Sequence, residues 1–211
     1  MKQTSQRIHI LCESAILVAL SVVLSIASKL LLEPFLAPLF LFGGSITLFS
    51  MLPICILSIK HGIGWGLGGA FCFSWFQILQ GGVFAWGLTP VMLIGSILLD
   101  YLLAFTILGF AGIFRTKGIK GMIAGVALVC IGRFLVHFLA GIILWANLAE
   151  FVAFGQAWIN RPVLYSLVYN GGYMLPETIL TVVGAILLFR VPATRKILKI
   201  KESDTQNEEN A

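Results

Sequence analysis

Long apolar stretches, separated by short polar connections, run through most of this chain. Six of them lie at about 8–30, 45–60, 63–80, 90–114, 121–145 and 163–190, and most approach the roughly 20 residues that a helix needs to cross a bilayer. The second and third are short and rich in glycine, which favours tilted, broken or closely packed helices. The pattern predicts an all-α membrane protein with six transmembrane helices in a single domain, residues 1–190.

Composition supports this class of protein, because hydrophobic residues make up 59% of the chain and charged residues only 11%. The first stretch contains Glu13 and no small-residue cleavage site follows it, so we expect a retained helix rather than a signal peptide. The four cysteines all lie in apolar stretches, and none forms a CxxC pair. We therefore expect small buried hydrophobic residues, with no metal site and no disulfide.

Basic residues are concentrated on one side of the predicted membrane domain. If the six helices alternate, only Lys29 and Arg161 fall on one side, while eleven Lys and Arg residues outside the spans fall on the other. These eleven are Lys2, Arg7, Lys60, Arg115, Lys117, Lys120, Arg190, Arg195, Lys196, Lys199 and Lys201. The bias predicts cytoplasmic termini and a multi-pass protein of the bacterial plasma membrane. The net charge of +5 needs no nucleic acid to explain it, and residues 191–211 should form a basic, then polar, disordered cytoplasmic tail.

Residues 31–44 form an unusual connection on the predicted outer side. The segment LLEPFLAPLFLFGG contains two prolines and a glycine pair, and it is too apolar for water and too short to span a bilayer. We expect it to fold onto the protein as a lid. The tryptophans of the other two outer connections, Trp86 and Trp158, are typical of an interfacial aromatic belt.

The fifth apolar stretch carries a row of polar and aromatic residues on one helical face. The row steps four residues at a time through Arg133, His137, Gly141 and Trp145. An unpaired guanidinium inside a membrane is costly, so we expect Arg133 to form a structural ion pair with Asp100 or Glu177, of which Glu177 is the favoured partner. His137 alone could serve a hydrogen bond between helices, but its neighbours on this face favour a binding site.

The sixth stretch adds polar groups at a similar depth. Tyr165 and Asn170 lie in its outer part, and an amide at that depth must find hydrogen-bond partners. An acid at position 100, an imidazole, an amide and aromatic rings suit a flat, polar, cationic aromatic ligand, to which an aromatic face contributes about 0.5–2 kcal/mol. Catalysis is poorly supported, because the sequence contains no GxSxG, HExxH or GxxxxGK[ST] motif.

Four segments of the sequence resemble those of a known protein family. They are GGSITLFSMLPI (43–54), LLDYLLAF (98–105), GRFLVHFLAGIILW (132–145) and YSLVYNGGYMLPE (165–177). With their His-x3-Gly-x3-Trp and Tyr-x4-Asn spacings, they resemble the thiamine-specific S components of energy-coupling factor (ECF) transporters, the ThiT family. The resemblance extends over nearly the whole chain and implies a non-enzymatic membrane subunit, without a cofactor, that captures thiamine from outside. Translocation would then require one transmembrane coupling protein and two ATPases.

The resemblance also implies a set of thiamine-contacting positions, which are Asp100, Tyr101, His137, Gly141, Trp145, Tyr165 and Asn170. The acid would meet the cationic or amino-bearing ring of the ligand, Trp145 would stack on a ring, and the imidazole, phenol and amide would form hydrogen bonds. Two features depart from the family pattern. Asp100 stands where the family has a glutamate, and loop 31–44 lacks the family's tryptophan, which Phe35, Phe40 or Phe42 could replace.

Helix 1 contains a pair of small residues, Ala15 and Ala19, spaced for close approach of another helix. The spacing alone fits packing within the chain equally well, whereas the resemblance implies contact with the coupling protein. Three alternatives to a thiamine-binding subunit stay open at this point. One is an S component for another vitamin or a thiamine precursor. The second is a proton-coupled secondary transporter, although the internal repeat usual in that class is missing, and the third is an intramembrane enzyme, although no nucleophile–base constellation is present.

Overall fold

Helices make up nearly all the regular structure of the chain. The computed structural model describes residues 2–36, 44–145, 152–153, 156–157 and 161–198. The helices are α1 (Lys2–Leu36), α2 (Leu52–His61), α3 (Ile63–Gly81), α4 (Pro90–Phe114), α5 (Gly118–Trp145), α6 (Pro162–Arg190) and α7 (Pro192–Leu198). A 3₁₀ turn covers Val83–Ala85, and two short strands, β1 (Val152–Ala153) and β2 (Gln156–Ala157), pair in antiparallel orientation.

Four of these helices are long and apolar enough to cross a membrane, namely α1, α4, α5 and α6. Their outer faces carry exposed leucine, isoleucine, valine and phenylalanine side chains, as lipid-facing helices do. The predicted multi-pass membrane location is confirmed. The second and third apolar stretches correspond to α2, which has only 10 residues, and α3, which is not among the four. The count of six crossings and the orientation of the termini stay predictions.

The first helix ends later, and the second begins later, than the sequence predicted. α1 continues through Pro34 to Leu36, so the first part of loop 31–44 is helical, and Lys29 and Glu33 form an i,i+4 ion pair at 3.7 Å along this last part of the helix. Residues 37–43 lie outside the described part of the chain. The second helix begins at Leu52 rather than near 45, because the backbone N–H of Leu48 is bound by Ser28 Oγ at 2.7 Å and Phe49 has a positive φ of 60°.

Two further expectations from the sequence are wrong in part. Cys55 and Cys130 are buried as predicted, but Cys12 and Cys72 are exposed, because the outer faces of α1 and α3 are turned away from the protein core. The predicted tail, residues 191–211, begins with a helix, α7, at Pro192–Leu198, and residues 199–211 lie outside the described part of the chain. Proline suits the first turn of a helix, and Arg195 Nε donates to the carbonyl of Phe189 at 3.0 Å.

Two helices contain wide turns with π-helical hydrogen bonding, at Ile97–Leu103 within α4 and at Gly141–Trp145 at the end of α5. Such turns shift the direction of side chains relative to a regular α-helix and often occur at functional sites. Here one turn contains Asp100 and the other contains Trp145. The two wide turns therefore carry the two side chains that meet in the hydrogen bond from Trp145 to Asp100.

Candidate ligand-binding site

A cavity of about 220 Å³ lies at one end of the helical bundle. Its walls come from the ends of α1, α3 and α5, from the middle of α4, from the first half of α6, and from Trp86 and residues 44–47. All seven residues that the sequence predicted as ligand contacts line it: Asp100, Tyr101, His137, Gly141, Trp145, Tyr165 and Asn170. The structure thus brings together residues that are up to 70 positions apart in the chain.

Asp100 is the centre of a hydrogen-bond network at the cavity wall. Its Oδ2 accepts from Trp145 Nε1 at 2.9 Å and from Ser96 Oγ at 3.1 Å, and its Oδ1 lies 3.2 Å from His137 Nδ1. Three polar groups therefore converge on one carboxylate, which has about four acceptor positions. The network fixes both the indole and the imidazole against the cavity.

Aromatic rings form much of the remaining wall. Trp86 and Trp145 meet edge to face with ring centroids 5.8 Å apart. On α6, Tyr165, Tyr169 and Tyr173 follow one another at four-residue steps, with successive ring centroids at 5.5 and 6.0 Å. These tilted and edge-on rings give the cavity an electron-rich surface, which favours a cationic ligand.

Tyr101 and Gly81 are matched in shape across the cavity wall. A Cβ atom at Gly81 would overlap the Tyr101 hydroxyl, so the glycine provides the space that this side chain occupies. Tyr101 itself is buried, with 8% of its surface exposed. A larger residue at position 81 would therefore displace the phenol from its place in the wall.

Gly141 and Asn170 hold α5 and α6 together beside the cavity. A Cβ at Gly141 would overlap Ser166 Oγ and lie 3.0 Å from Asn170 Nδ2. The amide nitrogen of Asn170 donates to the His137 carbonyl at 3.2 Å and to Ser166 Oγ at 3.1 Å, while its oxygen accepts from Tyr173 OH at 2.8 Å. The amide satisfies the hydrogen-bonding requirement expected from the sequence by cross-linking two helices at the cavity wall.

Arg133 and Glu177 form a buried ion pair beneath the cavity, with Nη1 and Oε2 2.8 Å apart. The other carboxylate oxygen of Glu177 accepts a hydrogen bond from Thr47, which in turn accepts one from Ser50 at 2.6 Å. The Arg133 guanidinium also lies over the Phe105 ring at 4.2 Å from the centroid. The pair therefore connects α5, α6 and the irregular segment before α2.

Several cavity residues were not singled out from the sequence. Lys29 Nζ donates to the Gln80 carbonyl, and the nearby Gln77 Nε2 donates to Ser25 Oγ at 2.9 Å, so one wall is a polar contact between α1 and α3. Gln80 Nε2 is buried without a hydrogen-bond partner among the described residues. A signal for this wall was available in α1, whose polar Ser14, Ser21, Ser25 and Ser28 recur at helical spacing and are all buried.

Among the other residues singled out from the sequence, the phenylalanines of the predicted lid, Trp158 and the alanine pair of helix 1 do not line the cavity in the described part of the chain. Phe35 is 76% exposed, and Phe40, Phe42 and Trp158 lie outside the described residues. Ala15 and Ala19 are both exposed on α1, about two turns or more before the first cavity residue of that helix, Ser25. Packing of this pair inside the chain therefore finds no support in the described residues.

Comparison with known proteins gives consistent matches. The sequence profile of the thiamine transporter protein family (Thia_YuaJ) matches residues 11–197. The thiamine transporter ThiT of Bacillus subtilis is 32% identical over 203 residues, covering 90% of this chain and 94% of that protein. ThiT of Lacticaseibacillus paracasei is 26% identical over 156 residues, covering 68% and 72%. The solved structure of ThiT from Listeria monocytogenes superposes with a TM-score of 0.65 at 25% identity, covering 90% of this chain and 98% of that one.

Proposed function

The chain belongs to the thiamine transporter family, and we propose that it captures thiamine in the cavity around Asp100 and delivers it to an ECF-type transport module. Its membership in the family and its multi-pass membrane location support a role in thiamine uptake. The observation that carries the assignment to this cavity is the convergence of Asp100, His137 and Trp145 on one wall. That wall combines a negative charge with an aromatic face.

Thiamine has chemical features that match this wall. It consists of an aminopyrimidine joined to a thiazolium ring, which carries a permanent positive charge. Asp100 supplies a compensating negative charge, and a favourable aromatic contact adds about 0.5–2 kcal/mol. The proposed contacts are Asp100, Tyr101, His137, Gly141, Trp145, Tyr165 and Asn170. Trp86, Tyr169 and Gln80 line other parts of the cavity and complete the proposed site.

The energy for transport is proposed to come from partner subunits. The sequence contains no phosphate-cradling GxxxxGK[ST] motif, so ATP-driven uptake would need a nucleotide-binding partner. Ala15 and Ala19 form a shallow exposed groove on α1, suited to a helix of the transmembrane coupling protein. Six membrane crossings with cytoplasmic termini would place the cavity at the outer side, where it can collect the vitamin.

A binding titration of the purified protein in detergent tests the proposed ligand. Calorimetry with thiamine, in the absence of ATP and of partner proteins, should give saturable one-site binding, and riboflavin and biotin should give none. Tighter binding of another vitamin, or of the isolated aminopyrimidine, would instead identify an S component of different specificity. Uptake into vesicles driven by a proton gradient without any ATPase would favour a secondary transporter.

A further inference from the structure

The two ring nitrogens of His137 have different surroundings. Nδ1 lies 3.2 Å from Asp100 Oδ1, whereas Nε2 is buried and has no hydrogen-bond partner among the described residues. His137 also lines the cavity. A buried polar atom without a partner at the wall of a cavity is a position at which a ligand can supply the missing hydrogen bond.

The partner of Nδ1 determines what Nε2 can do. An ionised carboxylate can only accept hydrogen bonds, so Nδ1 must carry the proton that lies between them. In a neutral imidazole the other nitrogen is then an acceptor with its lone pair free. Ser96 and Trp145 reinforce the arrangement, because both donate to Oδ2 and leave Oδ1 for the imidazole.

The orientation of the ring is also fixed. The rings of Phe105 and Tyr173 meet the imidazole edge to face, with centroids at 6.4 and 6.1 Å. Arg133, one turn earlier on α5, is paired with Glu177. The charge of Arg133 is thus compensated by Glu177, and the carboxylate that contacts the imidazole is that of Asp100.

We propose that Asp100 is a positioning residue, which holds His137 in the tautomer that presents Nε2 as an acceptor for the exocyclic amino group of the ligand. This inference rests on the proposed function, because it names His137 Nε2 as the atom that recognises the aminopyrimidine of thiamine. A site built around an acceptor rejects an analogue that places another acceptor opposite it, since the two lone pairs repel and both lose their water. The cavity should therefore select amino-bearing over oxo-bearing rings.

The first test uses the ligand-free protein and needs no assumption about the ligand. ¹⁵N spectra of histidine-labelled protein in detergent at pH 7, with His137 assigned from the spectrum of His137→Gln, report which ring nitrogen carries the proton. We expect a protonated Nδ1 and an unprotonated Nε2. A protonated Nε2, either in the other neutral tautomer or in the imidazolium, would overturn the proposal.

Asp100→Asn gives a sharper version of the same test. Ser96 and Trp145 both need an acceptor, so the amide oxygen should turn toward them and the amide NH₂ toward Nδ1. The imidazole would then take the Nε2–H tautomer. The ¹⁵N spectrum should show Nε2 protonated and Nδ1 unprotonated, the reverse of the wild type. Asp100→Glu retains a carboxylate and should keep the wild-type pattern, whereas an unchanged pattern in Asp100→Asn would contradict the proposal.

The second test measures selectivity as a ratio of affinities. Calorimetry should show that the wild-type protein binds thiamine about tenfold or more tightly than oxythiamine, the analogue with an oxo group in place of the amine. Asp100→Asn should reduce this ratio to about one or below. Glu33→Gln removes another cavity carboxylate that makes no hydrogen bond to His137 among the described contacts, so its ratio should stay at the wild-type value.

The outcomes separate this inference from the proposed function. Equal affinities of the wild type for both compounds would overturn the selectivity role while leaving thiamine capture intact. Binding of neither compound, together with the expected ¹⁵N pattern, would contradict the proposed function and support the tautomer assignment. Loss of selectivity in Glu33→Gln to the same extent as in Asp100→Asn would show a general effect of charge and would overturn the positioning role.

Discussion

Arg133 donates a hydrogen bond to Glu177 across 2.8 Å, and the two side chains are only 5% and 1% exposed. The contact links α5 to α6 at the base of the candidate site. Glu177 also accepts from Thr47, so the same carboxylate holds the irregular segment that precedes α2. The pair therefore stabilises the base of the cavity, which Arg133 also lines.

Removing the charge of Glu177 should strongly destabilise the protein. Glu177→Gln leaves the Arg133 guanidinium buried without its counter-ion, and breaking a buried pair in this way costs about 3–5 kcal/mol. Thermal unfolding in detergent, followed by circular dichroism, should show a clearly lower midpoint.

Two further variants make this measurement specific. Glu33→Gln removes a carboxylate of a half-exposed ion pair and should change the midpoint little. Replacing both partners, as Arg133→Met with Glu177→Gln, should recover part of the loss, because no unpaired charge remains. An unfolding midpoint of Glu177→Gln equal to that of the wild type would contradict the structural role.

Close contact of α5 and α6 at Gly141 leads to a second prediction. Gly141→Ala places a methyl group against Ser166 and Asn170, and overpacking of this kind costs about 1–3 kcal/mol. The helices must separate at the cavity wall, so thiamine affinity should fall together with stability. Gly171→Ala is the matched control, since a Cβ there meets nothing within 4 Å. Equal effects of the two substitutions would argue against a role for this contact.

Much of the site could be predicted from the sequence, because its residues recur at helical spacing. The row from Arg133 to Trp145 and the Tyr165–Asn170 pair predicted which faces of α5 and α6 turn toward the cavity. Asp100 stood out as a lone acid in an apolar stretch, and the family resemblance added Tyr101, the next residue of a helix that shows no such row. The predicted family and the membrane location are confirmed.

Contacts between helices were harder to predict from the sequence. The hydrogen bond from Trp145 to Asp100 depends on the relative depth of α4 and α5 and on the wide turn in each, which no periodicity reveals. The polar wall made by Lys29 and Gln80 was missed, because Lys29 was interpreted only as an outer-side charge. The late start of α2 depends on tertiary hydrogen bonds that Thr47 donates to Glu177 and Leu48 donates to Ser28, which override a continuous apolar pattern.

Intrinsic fluorescence should report occupation of the cavity. Trp145 lies in the wall and touches Trp86, so a ligand ring stacked on this pair should quench its emission. Trp145→Phe should therefore remove most of the thiamine-dependent quenching. Trp75→Phe, at an exposed position on the outer face of α3, should preserve it. Quenching that survives in Trp145→Phe and disappears in Trp75→Phe would locate the ligand elsewhere.

The exposed pair on α1 gives a prediction that separates capture from transport. Replacing Ala15 and Ala19 together with tryptophan should leave thiamine binding near the wild-type value and abolish ATP-driven uptake. The reason is geometric, because two methyl-sized side chains one turn apart leave a groove for a partner helix and two indole rings fill it. Neither alanine lines the cavity, whose α1 residues begin at Ser25.

The measurement compares equilibrium binding in detergent with uptake in vesicles that contain the coupling protein and both ATPases. The double variant Ala124→Trp with Leu128→Trp is the matched control, since these two exposed residues have the same four-residue spacing on α5. It places two indole rings at the same spacing on a different exposed surface and should transport normally. Wild-type uptake by the α1 variant would show that the alanines do not form the coupling surface. Loss of both binding and uptake would instead point to packing of the pair within the subunit itself.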